Sequence, residues 1–269
     1  MANPSLLERL VRDCDQVFHL AAAVGVQLVV TSPVHTIETN VGCTSVLLDV
    51  AGAFGTPVFI ASTSEVYGKS TAVPFREDGD IVMGATSRAR WSYACSKALD
   101  EFLAVAYWRE RQLPVVIARF FNTIGPRQTG RYGMVVPRFV EQALKNEPLT
   151  VYGDGTQTRC FTHVRDAVRA AIALMDATDT AGEVFNVGGT EEISMTELAQ
   201  RVIALTESSS SVRYVPFNEA YGEGFEDMPR RVPALEKIRA AIGYAPAYNL
   251  DATLRSVIEH AQTRSAAVA

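Results

Sequence analysis

Residues 58–68 read VFIASTSEVYG, and residues 115–127 read VVIARFFNTIGPR. Each stretch opens with an apolar run, rich in β-branched and aromatic side chains, and closes on polar residues. A run of this kind predicts a strand covered on both faces, since such a strand has no wet side to alternate with. Between them, from about Ser92 to Arg111, apolar residues recur at helical spacing. Strand, long helix, strand is the order that a parallel pair with a helical crossover requires.

The same alternation continues in both directions. Upstream, a helix is expected from Leu6 to Asp15, a strand over Val17-Phe18-His19-Leu20-Ala21-Ala22, and a helix from about Thr36 to Phe54. Downstream, Asp166 to Met175 predicts a helix, and Val184 to Val187 a strand that stops at Gly188-Gly189. The fold class is therefore α/β, a doubly wound, Rossmann-like parallel sheet. Segments 125–157 and 191–269, rich in Pro, Gly and Arg and holding short helices such as Met195 to Leu205, break the alternation. They predict a smaller lobe, leaving 1–124 and 158–190 as the sheet domain. Ser208 to Ser211 predicts a turn. Ligands of open α/β sheets bind beyond the carboxyl ends of the strands, where His19, Thr63 to Glu65 and Asn122 fall.

Composition narrows the field. The 269 residues are 48% hydrophobic and 20% charged, as in an ordinary globular chain, and no apolar run is long enough to span a bilayer. The start, Met1-Ala2-Asn3-Pro4, has no basic and apolar leader pattern. Cys14, Cys43, Cys95 and Cys160 are far apart, so the expectation is unpaired thiols in a cytoplasmic protein with no bound metal. A net charge of −5 gives no general attraction to nucleic acid or membrane. An anionic ligand would need a local group of arginines.

Tyr93-Ala94-Cys95-Ser96-Lys97 carries the chemistry. Residues four apart share a helix face, so Lys97 is expected beside Tyr93, its charge favouring the phenolate. A tyrosine brought towards neutral pH is a general base for a hydroxyl group.

The ordered set HLAA (19–22), STSEVYG (62–68), Tyr93-x-x-x-Lys97, RFFNxxGPR (119–127), VYGDGxQxR (151–159) and FNVGG (185–189) resembles that of the extended short-chain dehydrogenase/reductases, the NAD-dependent epimerases and dehydratases acting on nucleotide sugars. The resemblance implies an NAD-binding sheet domain, a substrate-binding lobe and a UDP-sugar substrate. It implies that His19, Ala21, Ala22 and Asn40 line the cofactor cleft and that Thr63 binds the hydroxyl being oxidised. Tyr93 would be the base, with Lys97 on the nicotinamide ribose. Asn122, Arg159 and Arg231 would meet the diphosphate. It also implies a homodimer through the two long helices.

Within this family a 4,6-dehydratase carries an Asp-Glu pair after the Thr. Here the pair is Ser64-Glu65, and a serine is a poor acid, so dehydration is disfavoured. Ser64-Glu65, Arg90-Trp91-Ser92-Tyr93 and Arg159-Cys160-Phe161-Thr162 are most similar to UDP-glucuronate decarboxylases. In these, oxidation at C4 makes a β-keto acid, Arg159 or Arg90 binds the carboxylate, and Glu65 assists proton transfer at C5. A 4-epimerase acting on UDP-glucose or UDP-glucuronate is the alternative reading. The other class is a non-catalytic fragment or binding partner, because the Gly-rich turn that opens a dinucleotide fold is not in the sequence. The expectation is that Met1 is internal to a longer enzyme. An in-frame upstream extension encoding a strand and a Gly-x-x-Gly-x-x-Gly turn would bear this out; a nearby in-frame stop codon would sink it.

Overall fold

The computed structural model describes residues 3–130, 134–222 and 225–266; Met1 lies outside them. The chain opens with α1 (Pro4–Arg12), β1 (Val17–His19), α2 (Val26–Thr31), α3 (Pro33–Phe54) and β2 (Val58–Thr63). A 3-10 turn (Ser64–Tyr67) follows, then α4 (Arg90–Arg111), β3 (Val115–Phe120), β4 (Thr123–Ile124), α5 (Val135–Leu144) and β5 (Leu149–Tyr152). Next come β6 (Thr158–Cys160), β7 (Thr162–His163), α6 (Val164–Asp176), β8 (Glu183–Val187), β9 (Glu192–Ser194) and α7 (Met195–Leu205). The chain ends with β10 (Val212–Val215), α8 (Phe217–Tyr221), β11 (Arg230–Arg231), α9 (Glu236–Ile242) and α10 (Leu250–Ala266).

The expected strands and helices form, with shifts at their ends. α1 begins two residues early because Asn3 caps it, its Oδ1 accepting from Leu6 N at 3.1 Å, with Pro4 in the first turn. β1 is three residues long rather than six, since Leu20 to Gly25 leave the sheet as a loop. α2 was not foreseen: it is one short apolar turn-and-a-half without alternation to mark it. α7 has the expected bounds, fixed by a capping box between Ser194 and Glu197.

The main sheet has the order β1-β2-β3-β8, parallel throughout. One face is covered by α3 and α4 through Leu47, Leu48, Ala104, Ile60 and Ile117. The other is covered by α6 and α9 through Phe59, Ala118, Leu174, Phe185 and Ile238. Among the described residues no strand pairs with the outer edge of β1, where Leu20 is 62% exposed. A separate apolar cluster joins α5, α7 and α10 around Phe139, Leu198 and Leu254.

Two connections carry the site. Gly189, just beyond β8, lies so near Phe161 that an added Cβ would stand 2.1 Å from its carbonyl oxygen. That contact explains the second glycine of FNVGG and draws β8 against the β6–β7 turn. The small sheet β11-β6-β9 then pairs Arg231 with Arg159 in parallel register.

Beneath the site, Arg119 is buried on β3 and meets Glu101 of α4 at 2.7 Å, while Ser62 donates to the same carboxylate. Tyr67 stacks under the Arg119 guanidinium at 4.7 Å. Removing one partner of such a pair strands the other charge in the interior. Glu101→Ala is expected to lower stability by about 3–5 kcal/mol, read as a fall in the urea midpoint; a loss below about 1 kcal/mol would mean the pair is solvated.

Candidate active site

Thr63, Ser64, Glu65, Arg90, Tyr93, Asn122, Arg159 and Arg231 all line, or directly abut, one cavity of about 340 Å³ beyond the carboxyl ends of β2 and β3. Thr63 ends β2 and starts the 3-10 turn, its Oγ1 accepting from Glu65 N at 3.2 Å. That cap turns the chain sharply, burying Ser64 and turning Glu65 into the cavity. Arg90 and Tyr93 lie in the first turn of α4, so one helix delivers both.

The charges form an alternating chain. Glu65 accepts from Arg90 through a short contact and from Arg231 at 3.3 Å. Arg90 also lies 3.6 Å from Asp227, and Asp227 accepts from Arg159 at 2.8 Å. Arg231 further donates to Asn122 Oδ1 at 2.6 Å, and Asn122 Nδ2 donates to the Cys160 carbonyl. Burial alone would raise Glu65, but Arg90, Arg231 and Arg159 more than reverse it and hold its carboxyl at about 2. Arg231 is drawn down to about 10, by burial first and then by Arg159. Arg90 moves up: burial opposes its charge, and Glu65 and Asp227 outweigh it.

Lys97, expected beside Tyr93, has an acidic partner of its own. Lys97 is 2% exposed and donates to Asp100 at 2.6 Å, one helical turn on. Tyr93 moves up from the usual phenol range, not down. Burial is the main cause and the Glu65 charge the next, with the Thr63 hydroxyl and Arg231 acting the other way. The YxxxK spacing sets a shared face but says nothing of a carboxylate three residues further along it.

His19, Ala21, Ala22, Asn40 and Lys97 are not walls of this cavity. Asn40, buried, accepts from Ala23 N at 2.7 Å and donates to Ser96, and so fixes the loop whose Val24 and Gly25 do line it. His19 bonds Thr44 and is brought to about 4, by burial and then by Lys97, which keeps it neutral. Several contributors were not foreseen: Asp227, Arg138, Gln128, and the aromatic side chains of Tyr152, Phe217, Tyr221 and Phe225. Tyr221 stacks on Phe225 with ring centroids 4.3 Å apart. The aromatic spacing within 217–225 was the signal for Phe217, Tyr221 and Phe225, and the VYGDG run for Tyr152. Asp227 had none.

Fold and site together define a short-chain dehydrogenase/reductase. The sequence matches the family model described as GDP-mannose 4,6 dehydratase over residues 1–257, and the chain belongs to that family of NAD-dependent epimerases and dehydratases. It is 45% identical over 254 residues to the UDP-N-acetyl-alpha-D-glucosaminuronate decarboxylase of Bacillus cytotoxicus, covering 94% of this chain and 78% of that one. It is 33% identical over 262 residues to UDP-glucuronic acid decarboxylase 1 of Danio rerio, covering 97% of this chain and 60% of the relative. The chain thus spans about three-fifths of the length of that vertebrate protein. Among solved structures it is similar to an epimerase from Methanothermobacter thermautotrophicus, with TM-score 0.89, 28% identity and coverage of 99% and 78%. It is also similar to the UDP-glucuronic acid 4-epimerase of Bacillus cereus, with TM-score 0.85, 27% identity and coverage of 96% and 78%.

The depressed Glu65 carboxyl has a thermodynamic consequence. Its folded value lies below the ordinary 4.5, so its contribution to stability is complete above about pH 4.5 and is lost as pH falls towards about 2. The full swing is about 3 kcal/mol. Glu65→Gln is expected to flatten that acid limb in unfolding measured against pH; an unchanged limb would place the titration elsewhere.

Proposed function

We propose that this chain carries the catalytic part of an enzyme that oxidises C4 of a UDP-linked hexuronate and then releases its carboxylate as carbon dioxide. The supporting observation is the convergence of Tyr93 and Thr63 with three arginines, Arg90, Arg159 and Arg231, on one cavity. A hydroxyl base beside a triply cationic wall suits a substrate with a diphosphate and a carboxylate.

NAD is the implied cofactor, and the residues beside the cavity fit it. Leu20, Ala21 and Val24 present an exposed apolar surface. These, with Lys97 and with His19, Ala22 and Asn40 fixing the loop, would hold the nicotinamide end of the cofactor. When bound, NAD would supply the hydride acceptor for C4.

Thr63 orients the C4 hydroxyl, and Tyr93 takes its proton. Tyr93 must be lowered from its resting range to do so, and Arg231 already acts in that direction. The product of oxidation is a β-keto acid. Its C5–C6 bond breaks, carbon dioxide leaves, and the electron pair passes to the C4 oxygen as an enolate. Arg90 and Arg159 hold the substrate's anionic groups, and Asn122 with Arg231 steadies the diphosphate end. C5 then takes a proton from solvent, relayed past Glu65, which its arginines keep ionised and which is therefore no resident acid. Return of the stored hydride to C4, with the proton that Tyr93 took, gives the pentose. Ser64, buried at the position where dehydratases hold an acid, supplies none.

Segments 1–124 and 158–190 form the cofactor domain in this reading, and 125–157 with 191–269 the substrate lobe. The separate cluster around Phe139, Leu198 and Leu254 supports that division. A homodimer through α3 and α4 is supported by exposed Val34, Ile37, Leu99 and Phe102; sedimentation as a monomer at micromolar concentration would exclude it.

A 4-epimerase is the second reading, favoured by the likeness to the Bacillus cereus enzyme. The B. cytotoxicus relative points to an acetamido sugar as an alternative substrate. The deciding experiment supplies NAD with UDP-glucuronate or UDP-N-acetylglucosaminuronate and follows carbon dioxide and UDP-sugar products. Carbon dioxide with a UDP-pentose supports decarboxylation, and UDP-galacturonate the epimerase. No conversion of any UDP-sugar, with no NAD bound, would leave the non-catalytic partner. Tyr93→Phe is expected to cut C4 oxidation by at least about 100-fold, and retained turnover would remove Tyr93 as the base.

A further inference from the structure

The arginine wall is over-supplied with positive charge. Arg159 and Arg231 sit opposite each other on paired strands, where like charges repel. Arg90 is the third cation, and among the described residues Glu65 and Asp227 alone answer them by ion pairing. Donors are also in excess. Arg90 Nε and Arg231 Nε are buried and have no hydrogen-bond partner. Arg90 is itself 96% buried, its side chain being 4% exposed, and it lines the cavity. The wall is built to receive further anionic oxygens.

The two carboxylates are not equivalent. Glu65 bridges Arg90 and Arg231 and comes from the rigid turn after β2. Asp227 meets Arg159 through Nη2 alone, and its other oxygen accepts from Met228 N, its own neighbour, and lies a longer 3.6 Å from Arg90. Arg159 does not need Asp227 for its orientation. Its Nη1 already donates to the carbonyls of Thr158 and Met228, each at 2.8 Å. What Asp227 provides is charge, and that charge stands where an incoming anion would bind.

We propose that the Asp227 carboxylate is an internal counter-ion, holding the place of the ligand's anionic oxygens on Arg159 and giving way when they arrive. It lets three guanidinium groups fold together without ligand, since an uncompensated buried charge is strongly unfavourable. It also sets the affinity of the site, because every anion must first displace it. This rests on the reading of the cavity as the seat of an anionic nucleotide sugar.

Inorganic pyrophosphate, UDP-glucose and UDP-glucuronate are the probes, titrated calorimetrically into the wild-type chain and Asp227→Asn. The variant is expected to bind pyrophosphate about ten-fold or more tightly than wild type, as a lost charged competitor implies. It is also expected to melt at lower temperature without anion and to regain more of that loss when pyrophosphate is added. A gain for UDP-glucose as well as UDP-glucuronate assigns the displacing oxygens to the diphosphate, and a gain for UDP-glucuronate alone assigns them to the sugar carboxylate. Unchanged or weaker pyrophosphate binding overturns the proposal, as does no binding to either protein. If pyrophosphate behaves as expected while neither UDP-sugar binds, the nucleotide-sugar reading fails and the counter-ion stands. Asp227→Ser gives a smaller neutral variant should Asn fold poorly. A crystal structure of the wild-type chain with pyrophosphate decides without any variant: Asp227 is expected to be released from Arg159, and an intact pair beside bound anion overturns the idea.

Discussion

Three guanidinium groups packed into one wall are the constraint around which the rest of this structure is arranged. Arg159 and Arg231 arrive on adjacent strands, and Arg90 arrives from the start of α4. Charges this close and this little hydrated cannot stand without counter-charge. Glu65 and Asp227 therefore belong to the architecture of the wall as much as to its chemistry. The arrangement holds Glu65 ionised, draws Arg231 down and leaves donor atoms unfilled. Buried donors without acceptors beside an excess of positive charge suit anionic oxygens.

The wall is brought to Tyr93 by connections that lie outside it. Gly189 permits the close passage of β8 over Phe161, which places β6 and β11 above the main sheet. The buried Arg119–Glu101 pair, with Ser62 and Tyr67, locks β2, β3 and α4 together beneath. Thr63 and Tyr93 are thus mounted on elements that share one rigid network.

The tyrosine itself shows how far a motif carries. Its spacing from Lys97 guarantees a common helix face, yet the lysine is engaged by Asp100 and the phenol is raised by burial and by Glu65.

The sequence alone determined the parallel α/β sheet, because strands buried on both faces have to be apolar along their length and crossovers have to be helical. It also marked Thr63, Glu65, Arg90, Tyr93, Asn122, Arg159 and Arg231, whose motifs stand at strand ends or on the first turn of a helix, where local spacing fixes position. It did not show that β1 is only three residues long. Only the tertiary structure decided who pairs with whom. Asp227 is far along the chain from Arg90, Tyr221 at the end of α8 and Phe225 in the loop after it both line the cavity, and Lys97 is paired with Asp100. Charge pairing and burial depend on distances through space between residues remote in sequence, and no local pattern encodes those distances.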